Sequence, residues 1–500
     1  MARGVLGVPR RGHSQDRANR RRTEPSRLSE AIVVGSGPNG LACAAMLVQE
    51  GVAVTVLEAE DEIGGGARSA ELTVPGLVHD LCSAVHPMAV GSPVLKSLGL
   101  ERYGLQWRWP DVDLAHPLDD GSVGVMFQSV GETVRALGSD GASWRRVFAG
   151  PSRSLGALTD DIYRPFLHLP KHPVKLVRFG LAAALPATVL ARAWDGPQAR
   201  ALFGGVAAHA ISRLDRPMSS AVGVALICAC HQFGWAVAHG GSGAITSALA
   251  AFVEERGGKI ETGVRVASLA ELPRADAVVL DLAPRTVADI AGGRLSRRVE
   301  RAYRRYRHGP GAFKVDFAVD DGVPWRNEVC RRAGTVHAGG AIEEIVAAER
   351  EVNRGRMPER PFVLVSQQYL ADPERSSGNV HPIWAYAHVP NGYDGDATEA
   401  LIGQIERFAP GFRERIVAKT VRSTREIEAA NANFVGGDII GGANTPVQVL
   451  IRPRLTLNPY HTGIPGVFIC SAATPPGAGA HGMNGYNAAQ SALRYLRVRR

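Results

Sequence analysis

Three glycines at fixed spacing, Gly35-Ser-Gly37-Pro-Asn-Gly40, followed eighteen residues later by Glu58, carry the strongest chemical signal in the chain. Gly35 permits a tight turn, Gly37 lets backbone approach a diphosphate closely, and Gly40 lets a helix pack against the preceding strand. Free N–H groups and the positive dipole end of that helix then face the phosphates. A carboxylate at Glu58 can accept hydrogen bonds from ribose hydroxyls and disfavours a 2′-phosphate. The combination points to an adenine dinucleotide, without separating FAD from NAD.

Two further glycine segments extend that reading. Ile63-Gly-Gly-Gly-Ala-Arg68-Ser69 follows the acid directly, and a second diphosphate-facing turn with a basic residue suits the larger flavin dinucleotide. Near the other end, Gly466–Cys470 feeds a loop of small residues, with glycines at 477, 479, 482 and 485, that runs into a helix. A helix N-terminus there can stabilise negative charge on a reduced flavin ring. FAD is therefore the expected cofactor. No metal is expected, because no His or Cys pair has ligand spacing.

Other residues leave two readings open. His86, His388 and His481 are the candidate catalytic bases or donors, with His209 a further candidate; a buried structural histidine is the alternative for each. Lys314 and Asp316 alternate with Phe313, Val315 and Phe317, and so face either a pocket or solvent. Trp384, Tyr386 and His388 fall on one strand face, above a cofactor or within a packed sheet. Cys228-Ala-Cys230 has the wrong spacing for a dithiol set against a flavin and reads as core packing.

The elements that must position these groups follow from periodicity. Ala31–Val34 is a short apolar run of the kind buried on both sheet faces, Leu41–Glu50 a helix stopped at Gly51, and Val52–Glu58 a second strand: a βαβ unit with a right-handed crossover. Ala244–Glu255 reads as helix, Lys259–Leu269 as one or two strands and Ala277–Leu280 as a buried strand. Residues 312–319, 361–369 and 383–389 read as strands of a second sheet. A helix interrupted at Pro410-Gly411 is expected over 398–417, and a final helix over 486–498. Residues 100–235 read as loops and helices with few strands.

At 45% hydrophobic and 21% charged, the composition is that of an ordinary globular chain. Its net charge of +9 is concentrated: residues 1–30 hold eight Arg against three acids. A basic nucleic-acid-binding surface is therefore not expected. The Arg-rich stretch reads as a disordered tail or, alternatively, as an arm for an acidic partner or membrane surface. No apolar core follows the arginines as in a signal peptide. Six scattered cysteines fit a reducing, cytoplasmic compartment. Phe179–Ala191 is apolar for 13 residues and basic at both flanks. It reads as a buried helical segment, or as a lid making shallow peripheral membrane contact.

The sequence resembles the phytoene-desaturase-like branch of the FAD-dependent amine oxidase superfamily, and within it the bacterial relatives of pyridine nucleotide-disulfide oxidoreductase domain-containing protein 2. The resemblance lies in Val34–Gly40, Ile63–Pro87, Gly234–Ala251, Gly309–Asp316, Trp384–Pro390, Gly436–Asn444 and Pro465–Ala489. It implies that Gly35, Gly37, Gly40 and Glu58 hold the ADP half of FAD, and that Gly65, Gly66 and Arg68 lie along the diphosphate. Val266 would contact adenine; Ser471, Gly482, Met483 and Asn484 would line the ribityl chain and flavin. Where the superfamily places Arg directly after two glycines, this chain has Gly66, with its Arg at 68.

The expected architecture is α/β: a discontinuous Rossmann-like FAD-binding domain (30–100, 236–295 and 430–500) and a mixed α+β substrate domain (101–235 and 296–429), after a tail over 1–29. The implied activity is dehydrogenation or desaturation of an apolar small molecule by hydride transfer. An oxygen-using amine or alcohol oxidase and a low-turnover flavin-binding regulatory protein are the alternatives.

Overall fold

The computed structural model describes residues 28–499; the Arg-rich stretch 1–27 lies outside the described residues. The strands that build the two main sheets are β1 (Glu30–Val34), β2 (Ala53–Leu57), β3 (Val112–Pro117), β4 (Val123–Met126), β5 (Lys259–Glu261), β6 (Ala277–Leu280), β7 (Gly311–Asp320), β8 (Ala333–Ala338), β9 (Val363–Ser366), β10 (Val380–Val389), β11 (Ile416–Arg422) and β12 (Val467–Ile469). Helices α1 (Pro38–Gln49), α2 (Pro173–Ala183), α3 (Pro197–Ala208), α4 (Ser220–Phe233), α5 (Ile342–Val352) and α6 (Met483–Arg499) carry the side chains discussed below.

The first sheet is five-stranded and parallel throughout, in the order β12-β6-β1-β2-β5. Its central strand β1 is buried from Ala31 to Val34, as its unbroken apolar run requires. The order places β1 between β2, which follows it, and β6, from more than two hundred residues away. The carboxyl ends of β1, β6 and β12 therefore lie side by side, where open parallel sheets bind ligands.

The second sheet is seven-stranded and mixed, in the order β11-β7-β10-β9-β8-β3-β4, with only β8 and β3 parallel. Its β7–β10 ladder is in register from Gly311–Val389 to Asp320–Val380. Alternation puts Phe313, Val315 and Phe317 into a core with Phe412. The opposite face carries Ala312, Leu364, Trp384 and Tyr386, which pack with α3 and α4.

Several elements differ from the sequence reading. Strands β3 and β4 lie in a stretch read as loops and helices, and β8 was also missed. The helix expected to 417 ends at Phe408, and Ile416–Arg422 instead adds β11 to the sheet edge. Of 259–269 only Lys259–Glu261 is strand. The last helix begins at Met483, three residues before the expected start. Phe179–Ala191 is not a single buried segment: it spans α2 and a second short helix after Pro186, and much of its surface is exposed.

Candidate dinucleotide and substrate cavity

The glycine turn after β1 is closed by its own geometry. Gly35 adopts φ +102° and donates its N–H to the Leu57 carbonyl at 2.8 Å. A Cβ at Gly40 would sit 2.0 Å from the Gly35 carbonyl oxygen, so no other residue fits there. Pro38 opens α1, and Gly37 stands at its N-cap with no side chain over the helix end. The Ser36 N–H and hydroxyl both donate to the Glu58 carboxylate, at 2.8 and 2.6 Å, which fixes the acid beside the turn. The second glycine turn leans on the first: a Cβ at Gly65 would lie 3.0 Å from the Gly37 Cα. Gly66 leaves room for the Phe434 ring, and Arg68 donates to the Gly65 and Ala430 carbonyls at 3.1 and 2.7 Å.

The C-terminal segment meets the same place from the other side. The Cys470 N–H donates to the Leu280 carbonyl at 2.9 Å, aligning the ends of β12 and β6. The Asn484 amide donates to the Ser471, Thr474 and Gly477 carbonyls at 3.2, 2.8 and 3.2 Å, stapling the small-residue loop. Helix α6 then crosses α1 at van der Waals limits. A Cβ at Gly485 would lie 1.9 Å from the Asn39 carbonyl oxygen, and one at Gly482 would lie 2.8 Å from the Ala42 Cβ. Two stretches more than four hundred residues apart thus close on one another.

Between them runs a cavity of ≈ 990 Å³. Gly35, Gly37, Glu58, Gly65, Gly66, Arg68, Val266, Ser471 and His481 line it. Gly40, Gly482, Met483 and Asn484 do not reach its wall and instead hold the walls in place. An elongated dinucleotide fits what is present. The glycines leave a cradle that Cβ atoms would obstruct, and two wall residues, Asn39 and Ser471, carry buried side-chain oxygens without partners.

Asp281, directly after β6, was not singled out in the sequence. Its carboxylate accepts the Gly40 N–H at 2.9 Å and stands 2.9 Å from where a Gly37 Cβ would be. Burial, together with the charge of Glu58 and against the Gly40 hydrogen bond, raises its pKa to about 7. The signal was available: Ala277–Leu280 followed by Asp281 repeats the apolar run and polar turn of Ala31–Gly35.

Away from the glycine turns the lining becomes apolar: Phe179, Trp235, Leu364, Trp384 and Tyr386. Trp384 and Tyr386 meet edge to face with ring centroids 5.0 Å apart. Lys314 is not exposed: it pairs with Asp316 on the Trp384 and Tyr386 face of the sheet and sits 5.5 Å from the Trp384 ring.

The histidines separate into different roles. His481 lines the cavity, but its Nδ1 accepts the Met483 N–H at 3.1 Å and so caps the start of α6; burial, opposed by a bond to the Ala478 carbonyl, lowers its pKa to about 4. His86 does not reach the cavity; it pairs with the Ser242 hydroxyl at 2.8 Å, and burial lowers its pKa to about 4. His388 is also outside the lining, hydrogen-bonded through Nδ1 to the Glu349 carboxylate of α5. Of the three catalytic candidates, two are thus turned away from the cavity and the third is occupied by backbone. His209, on the cavity wall after α3 and beside Trp235, is in a position to meet a substrate; His168 also lines the wall but is held by the Asp161 carboxylate at 3.2 Å and the Pro165 carbonyl at 2.8 Å. The His209 Nε2 lies 3.0 Å from the His337 Nε2, and burial pushes the His209 pKa down to about 3, so it is a neutral imidazole at pH 7.

All six cysteines are free, and Cys82 alone among them lines the cavity, its thiol pushed up to about 11 by burial. A dithiol facing the cavity is therefore absent. Among the described residues, no group of three or more His, Cys, Asp or Glu is placed to hold a metal ion.

Comparison with known proteins agrees with this geometry. Residues 33–98 match the model of the NAD(P)-binding Rossmann-like domain. Wild-type putrescine oxidase bound to putrescine superposes with a TM-score of 0.58 at 16% identity, covering 94% of this chain and 99% of that one. The chain has the fold of the flavin-dependent oxidoreductases. A CLA-producing fatty acid isomerase from P. acnes shares it, with a TM-score of 0.54 at 16% identity over 94% of this chain and 99% of that one. In sequence, the chain is 23% identical to mouse pyridine nucleotide-disulfide oxidoreductase domain-containing protein 2, over 99% of this chain and 100% of the relative.

Proposed function

We propose that the protein is an FAD-dependent oxidoreductase that dehydrogenates an apolar small molecule. The observation that carries this reading is the single cavity that begins at two interlocked glycine turns and ends among Trp235, Leu364, Trp384 and Tyr386. Its nucleotide end suits a diphosphate and ribose: the N-terminal end of α1, the Glu58 carboxylate and the Arg68 guanidinium. The resident group, when bound, supplies hydride acceptance. The chain's own contributions are positional. Ser471 and the small-residue loop hold the inner end, the aromatic rings exclude water and orient a flat or elongated substrate, and His209 offers a neutral imidazole that can hydrogen-bond a polar group of the substrate. The apolar lining and the shared fold with a fatty acid isomerase support a lipid-like substrate.

The absorption spectrum of the purified protein tests this directly. Flavin bands that bleach anaerobically with an apolar alkene, carotenoid or fatty compound are expected. Gly37→Leu, which would collide with Asp281, should yield colourless protein; a yellow Gly37→Leu variant refutes the site. A second reading, oxidation of an amine, has one observation in its favour: Trp384 and Tyr386 present perpendicular rings of the kind that hold alkylammonium groups. Stoichiometric peroxide on addition of an amine, with no bleaching by apolar compounds, would select it. Full retention of flavin with no reduction by either class would instead support a binding role.

A further inference from the structure

Part of the cavity wall, between Phe166 and Ala183, belongs to a segment rich in exposed apolar side chains. Sixteen large hydrophobic side chains are exposed among the described residues, and eight of them fall within residues 166–189: Phe166, Leu167, Leu169, Val174, Val177, Leu181, Leu185 and Val189. Single exposed apolar residues are ordinary, whereas a contiguous cluster marks a contact surface. Helix α2 shows how the patch relates to the cavity. Leu176, Phe179, Gly180 and Ala183 line the cavity, while Val174, Val177 and Leu181 point away from it at 67%, 60% and 68% exposure. A helix buried against the protein on one face and apolar on the other has been given two apolar neighbours.

Charge identifies the second neighbour. Arg164, Lys171, Lys175, Arg178 and Arg192 are exposed within this segment, and no Asp or Glu occurs from residue 162 to 194. Lys171 is paired with Asp160 at 3.0 Å. The helix pair Pro173–Ala183 and Ala187–Ala193 is bent by 93°, and no single helix among the described residues is long and apolar enough to cross a membrane. A bent, short pair with an apolar face and a basic rim lies in an interface and does not span it. A second copy of this chain is a poor alternative, because a two-fold contact would set this cluster of cations against itself.

We propose that residues 164–192 dock the protein onto an anionic lipid bilayer, with α2 forming the gate between the acyl chains and the cavity. The proposal rests on the reading of an apolar substrate given above, since it supplies the route by which such a substrate arrives. Val177 and Leu181 would enter the acyl boundary, and Lys175 and Arg178 would meet phosphate groups of the anionic surface.

The test is co-sedimentation of the full-length holoprotein with vesicles of phosphatidylcholine alone or mixed equally with phosphatidylglycerol. Binding to the mixed vesicles that weakens with salt is expected. Both Val177→Asp/Leu181→Asp and Lys175→Glu/Arg178→Glu should lower the partition coefficient by about tenfold or more, with the circular dichroism spectrum unchanged. The Arg-rich N-terminal stretch is common to all variants, so the difference between them reports on the patch alone. A dye on Leu181→Cys should shift to the blue on the mixed vesicles. Equal sedimentation of wild type and both variants overturns the proposal. So does a dimer by light scattering that Leu181→Asp converts to monomer without altering vesicle binding. Flavin content measured on the same samples keeps the two readings apart: yellow protein that ignores vesicles refutes docking only, and colourless protein that binds them refutes the flavoenzyme reading only.

Discussion

The two ends of the cavity are made by different means. The nucleotide end is a backbone surface: Gly35, Gly37, Gly65 and Gly66 shape it by lacking side chains, and the main chain supplies the donors. The apolar end is a side-chain surface, assembled from Phe179 on α2, Trp235 after α4, Leu364 on β9 and Trp384 and Tyr386 on β10. The first kind of surface tolerates little substitution, because a Cβ at Gly65 would press on the Gly37 main chain, one at Gly37 on the Asp281 carboxylate and one at Gly66 on the Phe434 ring. The second can change substrate by exchanging rings while the fold stands. A common nucleotide end with a variable substrate end is what this construction permits.

The comparison can be broken most decisively at Gly485. Valine there must drive α6 off the Asn39 carbonyl, so the variant is expected to purify without flavin and with its melting temperature reduced by about two to three degrees, on the order of 2–3 kcal/mol of overpacking. A yellow, equally stable Gly485→Val protein would show that the α1–α6 contact does not shape the nucleotide end.

Stability without loss of the turns is tested at Arg375, which holds Asp80 at 2.7 Å and Asp372 at 2.9 Å and is itself buried. Asp80 in turn accepts the Ser242 N–H and the Ser69 hydroxyl, at 2.6 and 2.7 Å, behind the second glycine turn. Arg375→Met leaves two buried carboxylates without their cation, and denaturant unfolding should show a loss of about 3–5 kcal/mol. A smaller loss would mean that water reaches this cluster.

At the apolar end, Tyr386→Ala should keep a full complement of flavin while slowing anaerobic reduction by the best substrate on the order of a hundredfold, since misplacement of the reacting bond is enough. Equal losses of flavin and of rate would erase the distinction between the ends.

The smallest effect concerns pH at Asp281. Its folded-state pKa, about 7, lies above the ordinary carboxyl value of 3.8, so the folded protein holds a proton that the unfolded chain gives up. The contribution is complete below about pH 4 and is lost as pH rises through 7. A diphosphate beside the carboxyl would favour the protonated form further. Flavin affinity should therefore fall between pH 6 and pH 8 by up to about tenfold per unit, and Asp281→Asn should flatten that dependence. An unchanged slope in the variant would assign the pH effect elsewhere.

What was legible in the sequence follows the same division. Gly35-x-Gly37-x-x-Gly40 could be read because its residues answer to local requirements, a left-handed φ at Gly35 and a close approach at Gly40. The C-terminal glycines were legible for the same reason. His86, His388 and His481 could not be sorted, because their roles depend on Ser242, Glu349 and the Met483 N–H, and the first two of these are brought near only by folding. His209 lacked any local feature that tied it to the cavity. Strand β8, Ala-Gly-Thr-Val-His-Ala, has too few β-branched residues to announce itself and is strand because β3 and β9 flank it. Strand β11 does alternate, but the reading let a helix run through Pro410-Gly411 into it. The exposure of α2 was hidden for another reason: an apolar helix reads alike whether protein or lipid covers its outer face.

The crossing of α1 and α6 also bears on synthesis. Strand β1 leaves the ribosome some two hundred and fifty residues before its neighbour β6 and more than four hundred before the loop stapled by Asn484. A nascent chain cannot close the cavity until residue 484 has emerged, and a message cut short even near residue 480 would yield a polypeptide with both glycine turns and nothing to close them.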